Sequence, residues 1–178
     1  MIWLVAEDEA DIRVLITTMI QVWGHQTAAF ENGQKVWDWL DKLEADGSTI
    51  QPPELVLMDI RMPGKKGNEV AARMRALPAL SQTPIVLMTA FSMTEAERTE
   101  LLTRDGADLV IQKPLPDFDQ LRKLLHDLVE SKQAAPPSAE PVKPETHEGP
   151  DAPTLPEAPE TPAELAPVVE KASVPKSL

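Results

Sequence analysis

Leu55-Val56-Leu57-Met58-Asp59-Ile60-Arg61-Met62-Pro63-Gly64 is an apolar run that stops on an aspartate and breaks at once into a Pro-Gly turn. A short continuous apolar run bounded by turn residues reads as a strand buried on both faces, and it leaves Asp59 at the strand's carboxyl end. Working outward, Ile2–Ala6 is a second such run and ends at Glu7-Asp8, while residues 85–88 form a third and end at Thr89-Ala90. Weaker candidates at 26–29 and 108–111 complete a set of five, the last followed by Lys113-Pro114. Between them, Ile12, Leu15, Ile16, Met19, Ile20 and Trp23 follow helical spacing, as do Phe118, Leu121, Leu124, Leu125 and Leu128. Strands alternating with amphipathic helices predict an α/β protein, a doubly wound five-stranded parallel sheet of (βα)5 type.

Local signals punctuate the pattern. Ser92-Met93-Thr94-Glu95 and Asp117-Phe118-Asp119-Gln120 read as helix starts of capping-box type. Gly24, Gly47 and Gly106 stand where helices should end. Trp3, Trp23, Trp37 and Trp39, with Met19, Met58 and Met74, are expected in the core. Gly64-Lys65-Lys66-Gly67 lacks the spacing and the Lys-Ser/Thr ending of a nucleotide loop and reads as a turn.

Composition divides the 178 residues in two. Eleven of the 18 prolines fall between Pro136 and Pro175, with eight acidic residues and three lysines after residue 133. A packed core is not expected there, so residues 1–132 are expected to be the domain and 133–178 a disordered Pro/Glu/Ala-rich tail, too short for a second output domain. The net charge of −12 and the lack of a basic stripe argue against nucleic-acid binding. Zero cysteines exclude disulfides and thiolate chemistry and fit a cytoplasmic protein. The Met1–Ala6 run is too short for a signal peptide, and no segment has the length to span a bilayer.

The chemistry gathers at the strand ends, where open parallel sheets collect ligands. Glu7, Asp8 and Asp59 are expected at one edge, where a hard divalent cation would relieve their repulsion. Mg²⁺ suits such a site, because it takes oxygen ligands and keeps several waters.

With those residues in view, a family resemblance becomes specific. Val5-Ala6-Glu7-Asp8-Glu9-Ala10-Asp11-Ile12-Arg13 resembles the acidic opening of response-regulator receiver domains, and Met58–Gly64 with Gly67 resembles their phosphoacceptor loop. Met88-Thr89-Ala90 and Gln112-Lys113-Pro114-Leu115 resemble the remaining two signatures, in order, each at the end of its own strand. The resemblance implies a flavodoxin-like fold and a stand-alone regulator that is not a turnover enzyme. In it, Asp59 accepts a phosphoryl group from a histidine kinase or histidine phosphotransfer protein, and the output is contact with a further, unidentified protein. It assigns Mg²⁺ to Glu7, Asp8, Asp59 and the backbone carbonyl of Arg61. It makes Lys113 the cation beside the acceptor, Thr89 a hydroxyl donor to the phosphoryl oxygens, and Ala90 a small residue whose N–H approaches them.

Two departures stand out. Counting back three residues from Lys113 puts Val110 where the family usually carries an aromatic switch residue. Arg61 and Phe91, each two residues past a site residue, are expected at the pocket mouth, where they would hinder water and prolong an acyl phosphate. A phosphate-independent interaction module is the alternative reading. A hydrolase with an aspartate nucleophile would want a second acid two positions after Asp59, and Arg61 stands there.

Overall fold

The computed structural model describes residues 1–45 and 51–134. Five strands, β1 (Ile2–Ala6), β2 (Gln26–Phe30), β3 (Leu55–Asp59), β4 (Ile85–Thr89) and β5 (Leu109–Gln112), alternate with α1 (Ala10–Val22), α2 (Gly33–Ala45), α3 (Gly67–Ala76), α4 (Glu95–Thr103) and α5 (Phe118–Ala134). All strand pairs are parallel, in the order β2-β1-β3-β4-β5. The expected fold class is therefore the observed one.

The period-two alternation of each strand sorts its side chains into two cores. Leu4, Val56, Met58, Leu87 and Val110 face one way and pack against Val36 and Leu40 of α2, Val70 and Met74 of α3, and Leu101 of α4. Trp3, Val5, Leu57, Met88 and Ile111 face the other way and pack against Ile16 and Ile20 of α1 and Leu121 and Leu125 of α5. Every residue of β3 and β4 is buried, which is why those strands read as unbroken apolar runs. β2 lies at the sheet edge, is less covered, and carries the weaker sequence Gln-Thr-Ala-Ala-Phe.

Several expectations shift in detail. β2, β3 and β4 each continue one residue past the expected end. β5 begins at Leu109; Asp108 just before it still donates its N–H to the Ile85 carbonyl, while its carboxylate pairs with Arg75 and accepts the Ile85 N–H. The cap of α4 is Thr94, not Ser92: the Thr94 hydroxyl accepts the Glu97 N–H, and the Glu97 carboxylate accepts the Thr94 N–H. The cap of α5 is as expected, with Asp117 accepting the Gln120 N–H. Leu15 belongs to no core and is 57% exposed. Gly24 and Gly106 take positive φ after α1 and α4, whereas Gly47 and residues 135–178 of the expected tail lie outside the described residues; Gln133 and Ala134, expected in that tail, instead continue α5. Trp3 and Trp23 are buried and Trp37 and Trp39 partly so, in keeping with core roles. Among the described residues no helix is long and apolar enough to cross a membrane.

Candidate functional site

Sheet register assembles the site. Pairing of Ala6 with Met58 and of Asp59 with Met88 brings Glu7, Asp59 and Thr89 to the carboxyl edge of three adjacent strands. Lys113 follows β5, its N–H donating to the Thr89 carbonyl, and it precedes a cis Lys113-Pro114 peptide bond.

Lys113 Nζ is the hub. It donates to both Glu7 carboxylate oxygens, at 2.9 and 2.8 Å, and lies 2.9 Å from Asp59 Oδ1. Asp59 Oδ2 accepts the Arg61 N–H at 2.8 Å, so both oxygens of the expected acceptor are oriented by donors. The Glu7 side chain is fully buried, that of Asp59 nearly so, and Lys113 is 12% exposed. Burial pushes the Glu7 carboxyl up, the neighbouring Lys113 offsetting only part of that effect. Against the downward pull of its own burial, the Glu7 and Asp59 carboxylates hold Lys113 above the usual lysine range.

The acidic turn after β1 is fixed by a residue to which no role had been assigned. Arg13, on the first turn of α1, donates to the Glu7 and Asp8 carbonyls at 2.6 and 3.2 Å. Asp8 is exposed beside it, and Ala90 is exposed just after β4. Among the described residues no three His, Cys, Asp or Glu side chains converge as a cage for a metal ion. The carboxylates expected to repel one another divide instead: Glu7 and Asp59 share Lys113, and Asp8 faces outward. An all-oxygen set with one exposed carboxylate still fits Mg²⁺, which keeps several waters rather than asking for a complete protein cage.

Thr89 is buried, and its hydroxyl accepts the Phe91 N–H at 3.1 Å. The Phe91 side chain turns over a cleft of about 670 Å³ that runs from Thr89 to α4, with Arg61, Met62 and Leu101 among its walls. The Arg61 guanidinium lies 3.5 Å from the Phe91 ring centroid. Both side chains do stand beside the acceptor loop, but in direct contact with each other, a pairing that spacing alone did not reveal. Val110 is buried on β5 against the α4 side of the sheet.

Gly67 opens α3 so close to the acceptor strand that a Cβ there would lie 2.2 Å from the Asp59 carbonyl oxygen. A second groove, of about 500 Å³, runs from Lys113 along Ile12, Leu15 and Met19 of α1 to Leu115 and Phe118.

Comparison with known proteins agrees with this arrangement. A family model described as the response regulator receiver domain matches residues 3–126. Sporulation initiation phosphotransferase F of Bacillus subtilis is 29% identical over 119 residues, which are 67% of this chain and 86% of that protein. The Escherichia coli regulatory protein AtoC is 30% identical over 122 residues, 68% of this chain but 24% of its own length. The chain thus spans only a part of some of the curated relatives it matches. A solved signal receiver domain of a signal transduction histidine kinase from Syntrophus aciditrophicus superposes with a TM-score of 0.62 at 22% identity, over 80% of this chain and 98% of that one. A CheY-like receiver domain from Methanospirillum hungatei gives 0.61 at 18% identity, over 74% and 95%.

Proposed function

Since the chain belongs to the response regulator receiver domain family, we propose that it is a phosphoacceptor regulator in which Asp59 takes a phosphoryl group from the phosphohistidine of a histidine kinase or phosphotransfer protein. An Asp59 carboxylate oxygen attacks phosphorus, the P–O bond forms as the P–N bond breaks, and the imidazole leaves with the bonding pair. The observation that carries this reading is the pair of donors on Asp59, Lys113 Nζ at 2.9 Å and the Arg61 N–H at 2.8 Å, with the acceptor otherwise enclosed.

Lys113 is the group already in place to meet phosphoryl oxygens as they arrive. The Thr89 hydroxyl, now an acceptor for the Phe91 N–H, has a proton free to donate to the same oxygens, and the Ala90 N–H lies next along the chain. Asp8, Asp59 and the Arg61 carbonyl would hold Mg²⁺, with Glu7, occupied by Lys113, reaching it through water. The cation supplies neutralisation of charge on the transferring group. The chain itself is not a turnover enzyme in this reading.

The apolar groove beside Lys113 supports a protein phosphodonor, because its Ile12, Leu15, Met19, Leu115 and Phe118 walls suit one face of an amphipathic helix. The output is protein contact in the cytoplasm, with no nucleic-acid or membrane partner. The Pro/Glu/Ala-rich composition of residues 135–178 supports a tail after the domain. Val110 favours a second reading, a phosphate-independent interaction module, since an aliphatic residue fills the place of the aromatic switch.

Incubation with Mg²⁺ and acetyl phosphate, followed by intact-mass measurement, tests the proposal. One phosphoryl adduct per chain, dependent on Mg²⁺ and missing in Asp59→Asn, is the expected result. An unmodified wild type, or an adduct that persists in Asp59→Asn, would overturn it.

A further inference from the structure

At the amino edge of the sheet, opposite the acidic site, two histidines from distant parts of the chain meet. His25 immediately precedes β2 and His126 lies within α5, and their Nε2 atoms are 3.1 Å apart with ring centroids 5.1 Å apart. The surroundings are aromatic. The His25 ring stacks on Trp3 at 4.2 Å and 18°, and His126 lies 5.2 Å from Trp3 and 6.0 Å from Trp23.

The proton positions follow from the partners. His126 Nδ1 lies 2.8 Å from the Arg122 carbonyl, an oxygen that can only accept, so Nδ1 carries the proton and Nε2 presents a lone pair. Metal-ligating histidines are held in this way, with the remote ring N–H fixed on a carbonyl. His25 must then donate from Nε2 to His126, leaving its own Nδ1 as a bare lone pair. That atom is buried and has no hydrogen-bond partner.

We propose that His25 and His126 form a two-imidazole site for a borderline transition-metal cation of the Zn²⁺ class. Two imidazole nitrogens bound to one tetrahedral Zn²⁺ at the usual Zn–N length are separated by roughly 3.3 Å. The observed 3.1 Å therefore asks for only a slight parting of the rings. The one covalent change is a tautomer exchange: the His25 proton passes from Nε2 to Nδ1, and no proton leaves the pair. Since Nδ1 lacks a partner whether it bears a proton or a lone pair, the exchange forfeits no hydrogen bond there. Burial, His126, the amino terminus and Arg122 all hold His25 below the usual histidine range, keeping the imidazole neutral as coordination requires.

No third His, Cys, Asp or Glu joins the pair among the described residues, so water would have to fill the remaining positions of a bound ion. The nitrogen donors also separate this site from the oxygen-lined acidic edge, which suits Mg²⁺. Binding would tie α5 to the start of β2 through one atom.

The test is calorimetric titration of the chelator-treated full chain with ZnCl₂ in excess Mg²⁺, for the wild type, His25→Gln and His126→Gln. One Zn²⁺ per chain is expected, weakened in each variant by at least the roughly 10–100-fold that loss of even an outer-shell partner costs at metal sites. In the wild type, long-range ¹H–¹⁵N spectra are expected to show both Nε2 resonances moving to the metal-bound position while both Nδ1 atoms carry protons, a readout that does not depend on either variant folding. Absence of binding, undiminished binding in either variant, or unmoved Nε2 resonances would overturn the site.

Discussion

The Arg61 guanidinium stacks on the Phe91 ring, 3.5 Å from its centroid, and so joins the loop after the acceptor strand to the loop after β4. A cation over an aromatic face is worth about 0.5–1 kcal/mol at an exposed site and resists opening. Here it stands two residues past Asp59 and Thr89, and under the proposed function it would screen the acyl phosphate from an attacking water. Arg61→Ala and Phe91→Ala are each expected to shorten the lifetime of the Asp59 acyl phosphate by about two- to fivefold, the rate equivalent of that contact energy. Decay of the phosphoryl adduct followed by mass spectrometry after removal of the donor checks this. An unchanged lifetime in both variants would show that the stack does not screen the bond.

Lys113→Met would leave Glu7 and Asp59 facing one another without their common cation. Breaking a buried charge pair from one side costs about 3–5 kcal/mol. The pH dependence has a definite sign. Burial already raises the Glu7 carboxyl above the ordinary value of 4.5, and loss of Lys113 raises it further. The folded variant therefore binds more protons than the unfolded chain above that value, and its stability falls as pH rises. Urea denaturation near pH 4.5 and near pH 7 is expected to show the larger deficit at the higher pH, with Lys113→Met/Glu7→Gln recovering part of it. An equal deficit at both would assign the loss to packing.

Gly67→Ala tests the close approach of α3 to β3. The added methyl would sit 2.2 Å from the Asp59 carbonyl oxygen, which is backbone and cannot rotate aside. A cost of about 1–3 kcal/mol in thermal stability is expected, as for other overpacked positions, with slower phosphorylation because the acceptor's own residue is displaced. Thermal unfolding with the acetyl phosphate assay measures both.

His25 supplies an acid-side dependence of opposite sign to that of Glu7. Burial first, then His126, the amino terminus and Arg122, hold it below the ordinary histidine value of 6.5. Its contribution is present in full above that value and is lost as pH falls toward the folded-state value, because the unfolded chain takes up the proton first. The difference in urea midpoint between wild type and His25→Gln is expected to shrink as pH drops below 6.5, as read by circular dichroism. A constant difference would mean that the ring contributes by packing alone.

Much of this was legible in the sequence for one reason: strands covered on both faces must be apolar throughout, so β1, β3 and β4 announce themselves and their last residues mark the site. Edge strand β2, with one side open, could use polar and small residues and gave a weaker signal. The α4 cap lies two positions beyond the one the pattern points to, because Ser92 and Thr94 are both competent caps and only the reach of Glu97 decides between them. Leu15 obeys the helical period yet faces outward, since the stripe is wider than the surface it covers. The Lys113 bridge to Glu7 spans 106 positions and the histidine pair 101, and separations of that size leave no periodic trace.

The placement of the four tryptophans determines what light can report in a protein with no tyrosine. Trp3 and Trp23 belong to the histidine edge, Trp37 lies between Lys65 and Arg73, and Trp39 packs on Phe30, while the residue preceding the acceptor is Met58. Intrinsic fluorescence is thus a local probe of the sheet's far edge and of α2. Loading of Asp59 should change the emission chiefly through Trp37, whose ring lies 4.5 Å from Lys65 Nζ in the loop after β3, and quenching that survives Trp37→Phe would measure how far the event travels through β1 to the opposite end of the molecule.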